Sequence, residues 1–393
     1  MTDRLLTPRF FVMCGFTFTV FLSAFQLFPT APFRILSLGG STFASGLFLG
    51  FLTYASAFSA PATGALADRL GSRTILLASS IALACFSLAY AVLTDYHVVL
   101  ALVIVHGVFW SGLLSASAAY LTNMLPARRR AEGIAYWGLS SVAAISVAPF
   151  IGFWVFHFGW TTMCVEAAAL NVVMALIAAR LPAESRQTRA QAHQARGLLE
   201  WRILVVSLAL FMYSFGYGGT TSFTALYADA SGVSPKGIYL TALAVVVLIT
   251  RPLSGRLGDR YGYRRVLVPC FILITIGLAC LVMGGSLRWL LTSAAIFGVG
   301  FGTAYPVFVA YVMQHVGPDR RGAAFGAILA AFDTGVGTGS ATMGWIIQHY
   351  GFAAAFGAAA ALSALAIPYF LVAERLLPRT GTGGDSHGRA QTG

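Results

Sequence analysis

Charge is what this sequence has least of. Only 10% of its 393 residues are Asp, Glu, Lys or Arg, against roughly 25% in an ordinary soluble domain. Too few polar side chains remain to cover a water-soluble fold of this length, and an apolar content of 58% with a mean hydropathy of +0.78 points the same way. Disorder and a collagen-like chain fail on the same arithmetic. Cysteine is scarce as well: Cys14, Cys85, Cys164, Cys270 and Cys280 all lie within apolar stretches, so they spell neither a disulfide framework nor a metal site. Lysine is nearly missing. Of 25 cations 24 are Arg, and the single Lys236 follows Ser-Gly-Val-Ser-Pro, not the Gly-rich run of a P-loop. No His pair stands at i, i+4 with a Glu, as a zinc protease requires. These absences leave an all-α membrane protein with no implied metal, cofactor or ATP site of its own, and not an enzyme.

What the sequence does have is a succession of apolar runs. A membrane span takes about 20 such residues, and twelve are read, at 9–29, 41–66, 74–94, 97–121, 133–156, 160–181, 201–228, 237–257, 266–285, 288–314, 322–347 and 352–375. The first is too long for a signal-peptide core and lacks a clear cleavage site, so it is read as a retained helix. Twelve spans put 22 cations on the side of the termini and three, Arg34, Lys236 and Arg288, on the other. The positive-inside rule makes the first side cytoplasmic. The net charge of +12 is therefore a topology signal and implies no nucleic-acid partner. A polar stretch near the middle divides the chain: residues 1–181 as an N-terminal six-helix bundle, 182–200 as a cytoplasmic linker, 201–378 as a C-terminal six-helix bundle, and 379–393 as a disordered tail.

The halves repeat. Pro61-Ala-Thr-Gly64-Ala-Leu66-Ala-Asp68-Arg69-Leu-Gly71-Ser-Arg73 and Pro252-Leu-Ser-Gly255-Arg-Leu257-Gly-Asp259-Arg260-Tyr-Gly262-Tyr-Arg264 are identical at seven of thirteen positions, 191 residues apart. Pro126-Ala-Arg128-Arg129 recurs 192 residues on as Pro318-Asp-Arg320-Arg321. Two landmarks at nearly one offset mean two bundles in the same orientation. Gly64 and Gly255 have no side chain, which lets the ends of the second and eighth spans pack against a neighbouring backbone.

At these residues the chain resembles the major facilitator superfamily, whose signature loop follows the second helix. The resemblance implies two pseudo-symmetric six-helix bundles around a central site, opened to each side in turn. In the family the charged loops resemble a latch: Asp68 and Asp259 would face the starts of helices 11 and 5 in the opposite half, and Arg69, Arg73, Arg260 and Arg264 would pair with Glu132 or nearby carbonyls.

Candidate transport residues are ionisable or polar groups inside spans, where they are costly and often functional. Asp333, twelve residues beyond Arg321 and so ~18 Å into its helix, is the first choice for a proton or cation carrier. Thr334, Gly335, Gly337, Thr338, Gly339 and Ser340 around it are small enough to admit water or substrate. His106 and Glu166 are further candidates. Gln26, Trp110, Tyr217 and Tyr305 are read as cavity-lining groups, with packing as the alternative for each, and Gly216, Gly218 and Gly219 as weak points that let helix 7 bend. Exporters of the superfamily often carry Arg-x-x-x-Gly in helix 4, where this chain has Val103 and Gly107. They often carry Gly-Pro-x-x-Gly-Gly in helix 5, where it has Ala148-Pro149-Phe-Ile-Gly152-Phe153.

The reading is a monomeric, proton-coupled exporter of a small amphipathic or hydrophobic compound in a bacterial inner membrane. The alternative is uptake of a sugar, organic acid or amino-acid derivative. An acid cargo requires a central Arg or Lys, and none is read near mid-membrane. A non-transporting sensor would show a long extra cytoplasmic domain.

Overall fold

The computed structural model describes residues 5–126, 129–182, 201–316 and 321–376, all helical apart from short turns. The N-terminal helices are α1 (Pro8–Ser37), α2 (Thr42–Leu70), α3 (Ser72–Val92), α4 (Tyr96–Met124), α5 (Arg130–Phe156) and α6 (Trp160–Arg180). The C-terminal ones begin with α7 (Trp201–Ala230), α8 (Ile238–Tyr261), α9 (Tyr263–Val282) and α10 (Leu287–Gln314). The last segment, Arg321–Ala373, spans 53 residues and carries a non-helical Gly351 (φ 81°, ψ 174°). At 1.5 Å per residue it is ~80 Å long, more than two hydrocarbon thicknesses. It is therefore two helices, α11 (321–350) and α12 (352–373), and twelve spans result. The linker beyond Pro182, the tail and the paired arginines at 128 and 320 lie outside the described residues.

The turn at Gly351 has a twin. His157-Phe158-Gly159-Trp160 and His349-Tyr350-Gly351-Phe352 stand 192 residues apart, and Gly159 also has positive φ (109°). This is a third landmark of the twofold repeat, written in the sequence at the same offset as Pro126 and Pro318. The Asp-Arg-x-Gly copies share one backbone. Gly71 (φ 92°, ψ 140°) ends α2 and begins α3, and Gly262 (φ 84°, ψ 135°) does the same for α8 and α9. Two helices meet at one residue, which needs a left-handed conformation that costs an L side chain about 1–2 kcal/mol. The face carrying these joints is called the joint face below, and the opposite one the far face.

Each half has its own apolar core. Phe16, Leu76, Tyr90, Leu113 and Met163 pack in the first, and Tyr213, Phe271, Phe297, Phe308 and Phe356 in the second. Buried Val336 and Val142 each join the other half's core, and half-buried Tyr217 and Phe332 pack against both. Large apolar side chains such as Val92, Trp154 and Leu365 point outward, as they must where lipid rather than water is the solvent. Polar groups inside the halves bond across helices: Trp160 Nε1 donates to Tyr90 O at 2.7 Å, Asn171 to Ser87 at 3.1 Å and the Tyr227 hydroxyl to Leu281 O at 3.1 Å. One expected boundary moves. The first helix was expected to stop near Pro29, but it runs through Pro29 and Pro32 to Ser37, and Arg34 near its end donates to Leu93 O at 2.9 Å.

Candidate functional site

The halves meet along two symmetry-related seams on the far face, α2 against α11 and α5 against α8. Gly46 and Gly237, 191 residues apart, are the close-approach points. A Cβ on Gly46 would land on the Ser340 carbonyl, and one on Gly237 would lie 3.3 Å from Pro149 O and 2.7 Å from the Phe153 ring. Around them Ser340 Oγ donates to Gly46 O at 2.8 Å, Ser146 Oγ to Ala244 O at 3.1 Å and the Phe43 amide to Gln348 Oε1 at 3.1 Å. The Lys236 ammonium sits 5.0 Å over the Phe33 ring and 2.8 Å from Asp229. Tyr54 reaches Thr338 at 2.5 Å. Beyond Tyr54 the seam parts. Phe58 is 78% exposed, and Gly64 on α2 and Gly326 on α11 have no atom within 4 Å of a Cβ position. Gly138 on α5 and Gly255 on α8 are equally open. The space between the halves is thus shut on the far face and open toward the joint face.

That space is a narrow cleft between α1 and α5 on one side and α7, α8 and α10 on the other, lined by Phe25, Pro29, Ser146, Tyr217, Arg251 and Phe301 among others. Its C-terminal wall is aromatic. Tyr217 stacks on Phe301 at 4.2 Å between centroids and 17°, Phe332 lies 6.3 Å from Tyr217, and Tyr305 meets Phe332 edge-on at 5.1 Å. The buried Tyr213 hydroxyl on α7 has no partner among the described residues, an arrangement that costs free energy unless a ligand or water completes it.

Arg251 corrects the sequence reading, which assigned it to the cytoplasmic loops and found no central cation. It lies thirteen residues into α8 from Ile238, ~20 Å along the axis, half-buried at the cleft. The read span, 237–257, already contained Arg251; the error came from counting it with Arg256 and Arg260 as a loop cation, when it lies ten residues short of the end of α8 at Tyr261.

Asp333 is half-buried on α11, in electrostatic range of Tyr305. It sits one turn toward the joint face from Gly337, where α2 and α11 separate. Its small neighbours are not an entry route. Gly335 meets the Phe211 backbone, Gly337 meets Thr53 and Gly339 meets the Phe215 carbonyl, while Thr334 and Thr338 bond their own helix at 2.6 Å. They are close-packing surfaces for α7 and α2. The α7 glycines behave likewise: α7 is unbroken, and Gly216, Gly218 and Gly219 abut Leu278, Val336 and Met343.

Other predicted residues gather elsewhere. Gln26 Nε2 donates to Glu166 Oε1 at 3.2 Å, and Gly152 lets α5 approach Gln26, whose Cα lies 2.9 Å from a Cβ position there. Gln26, Glu166 and Gly152 thus form one packed unit binding α1, α5 and α6, while Pro149 of the helix-5 motif lines the cleft. His106 does not line the cleft. Its ring stacks between Phe86 and Tyr90, and Nδ1 lies 3.1 Å from the Tyr90 hydroxyl, inside the α3–α4 packing. Trp110 packs edge-on against Phe21 and Phe28 of α1.

Arg73, Asp259 and Arg264 on the joint face pair within their own halves. Arg73 donates to Ala178 O and Ala179 O at the end of α6, at 3.4 and 2.5 Å. Arg264 bonds Glu374 at 2.9 Å, and Asp259 accepts from Tyr263 at 2.6 Å. Glu132 pairs with Arg129 at 2.8 Å rather than with the motif arginines. Gly64 and Gly255, expected against a neighbouring backbone, face open space.

Two six-helix halves around a cleft that is closed at one face define a transporter fold. The sequence matches the Major Facilitator Superfamily over residues 12–249 and again over 206–390, and the chain belongs to that family. An uncharacterised MFS-type transporter, YhhS of Escherichia coli (strain K12), is 25% identical over 343 residues, covering 84% of this chain and 83% of the relative. Another, from Burkholderia mallei (strain SAVP1), is 23% identical over 368 residues, covering 90% and 89%. Among solved structures, the nucleoside transporter NupG superposes with a TM-score of 0.71 at 14% identity, over 93% of this chain and 99% of that one. A bacterial homologue of the human lysosomal transporter Spinster, inward-facing and occupied, gives 0.76 at 15%, over 94% and 96%. The chain is a multi-pass membrane protein of the MFS transporter type.

Proposed function

We propose that this chain is a secondary active transporter that exports a small amphipathic compound by alternating access, driven by proton entry. On this reading the joint face is cytoplasmic, both termini lie there, the membrane is the bacterial inner membrane, and the monomer is the working unit. The observation that carries it is the pair of far-face seams around Gly46 and Gly237. They hold backbone against backbone, with no ion pair between the halves among the described residues, so the opposite closure needs only that these seams open while α2–α11 and α5–α8 meet at their joint-face ends. The conserved geometry of the two Asp-Arg-x-Gly joints then supplies Gly64, Asp68, Arg69, Gly71 and Arg73, and Gly255, Asp259, Arg260, Gly262 and Arg264, as the latch of the closed joint face.

Asp333 is the proton carrier on this reading. A carboxyl at this depth is costly when charged, and its position where α2 and α11 diverge exposes it to whichever side is open. Arg251 argues against a wholly hydrophobic cargo, and it also favours an organic acid if the direction is uptake. Vesicles with an imposed pH gradient separate these readings. Proton-driven movement is expected to vanish in Asp333→Asn while exchange of cargo across the membrane without a gradient persists. Gradient-driven transport in Asp333→Asn equal to the wild type removes Asp333 from the mechanism.

A further inference from the structure

Arg251 stands alone in a place where a cation is expensive. No carboxylate among the described residues pairs with it, and its guanidinium makes no hydrogen bond to any of them. The groups in its electrostatic range are the phenols Tyr213, Tyr217 and Tyr305. Tyr305 is also in range of Asp333, which makes no ion pair with Arg251. A charge within a span is normally paired or aimed at water or a ligand, and Arg251 is aimed at the cleft.

The internal repeat shows that the fold does not require this cation. Arg251-Pro252 corresponds to Ala60-Pro61 in the other half, 191 residues earlier. Alanine satisfies the same helix position before the same proline, so the arginine is an addition to one half only. The remaining cleft lining is aromatic, aliphatic and hydroxylic: Phe25, Val142, Ser146, Tyr217, Leu243 and Phe301. No second Lys or Arg is among the residues lining it. A planar guanidinium presents two parallel donors to a carboxylate, a match that an ammonium or a neutral group does not give.

We propose that Arg251 is the anion-binding residue of the cargo site, and that the cargo is an amphipathic monoanion of the carboxylate type. Its head pairs with the guanidinium and its apolar body lies against Phe25, Tyr217 and Phe301. One charge on the protein answers one charge on the ligand, and the pair crosses the membrane interior nearly neutral. This names the substrate class of the site used in the transport reading and rests on it only for the word cargo, since binding is measurable without movement.

The test uses the purified full chain in detergent and follows thermal unfolding with a panel of aromatic monocarboxylates, from benzoate to 2-naphthoate. The primary amides and primary amines of the same ring systems complete the panel. At least one carboxylate is expected to stabilise the wild type while its amide and amine do not. Affinity for that carboxylate should fall at least about tenfold in Arg251→Gln and be partly kept in Arg251→Lys, which retains charge without the fork. Arg251→Lys also keeps the test valid if the neutral variant fails to fold. Amides or amines that stabilise as well as the carboxylate overturn the proposal, as does undiminished binding in Arg251→Gln or a panel in which no carboxylate binds. Counterflow of the bound carboxylate into vesicles is read separately. Binding without movement sinks the transport reading and leaves this one, whereas movement of only the amide or amine does the reverse.

Discussion

Gly46 is where the conformational argument is most exposed to experiment. In Gly46→Ala the new methyl meets the Ser340 carbonyl oxygen directly, with its carbon at 3.0 Å and the Ala341 Cα at 3.2 Å. All three are backbone atoms, so no rotamer change relieves the clash. Overpacking of this kind costs about 1–3 kcal/mol, and under the proposed alternating access, which opens this seam, the cost falls on the far-face-closed arrangement. Population ratios should therefore move roughly 5- to 150-fold toward the opposite closure. Spin labels at Phe58→Cys and Gly326→Cys, in a background lacking the five native cysteines, report the separation of α2 and α11 toward the joint face. Phe58 is exposed and Gly326 has open space around it. Double electron–electron resonance is expected to show the long distance of the parent giving way to a short one. Gly237→Ala should act in the same direction, since it meets Pro149 O and Phe153 on the symmetric seam. Distance distributions unchanged by either substitution in folded protein refute the claim that these seams hold the structure open on the joint face.

Further expectations concern residues whose roles the structure separates. Gly71→Ala and Gly262→Ala place a side chain at φ 92° and 84° and should each cost about 1–2 kcal/mol, read as a lowered Tm. An unaltered Tm would mean that the joints relax elsewhere. Glu166→Gln gives a donor to a site where Gln26 Oε1 and Glu166 Oε2 both lack one, so thermal stability should hold or rise and proton-driven transport should persist. A fall in Tm contradicts the structural role assigned to this pair. His106→Phe, packed between Phe86 and Tyr90, should leave the pH dependence of transport as in the wild type, and a shifted pH profile would return His106 to the list of proton carriers.

Much of the architecture follows from the order of residues alone. Where the surrounding solvent is hydrocarbon, every span must be a long apolar helix with its backbone bonds satisfied internally. Composition and run length therefore specify twelve helices without reference to any tertiary contact. The duplicated Asp-Arg-x-Gly turns are legible for a similar reason: a joint between two helices at one residue demands a glycine locally, and local demands are written where they act. Lateral neighbours are different. Whether Gly337 is an opening or a contact surface, whether His106 faces the cleft or α3, and whether Arg251 faces a loop or the cleft depend on how each helix is rotated and what it packs against. Those are set by packing against other helices in a medium that gives apolar faces no preference between lipid and protein. A polar residue's direction is then decided by the partner it finds across the interface, which only the folded arrangement contains.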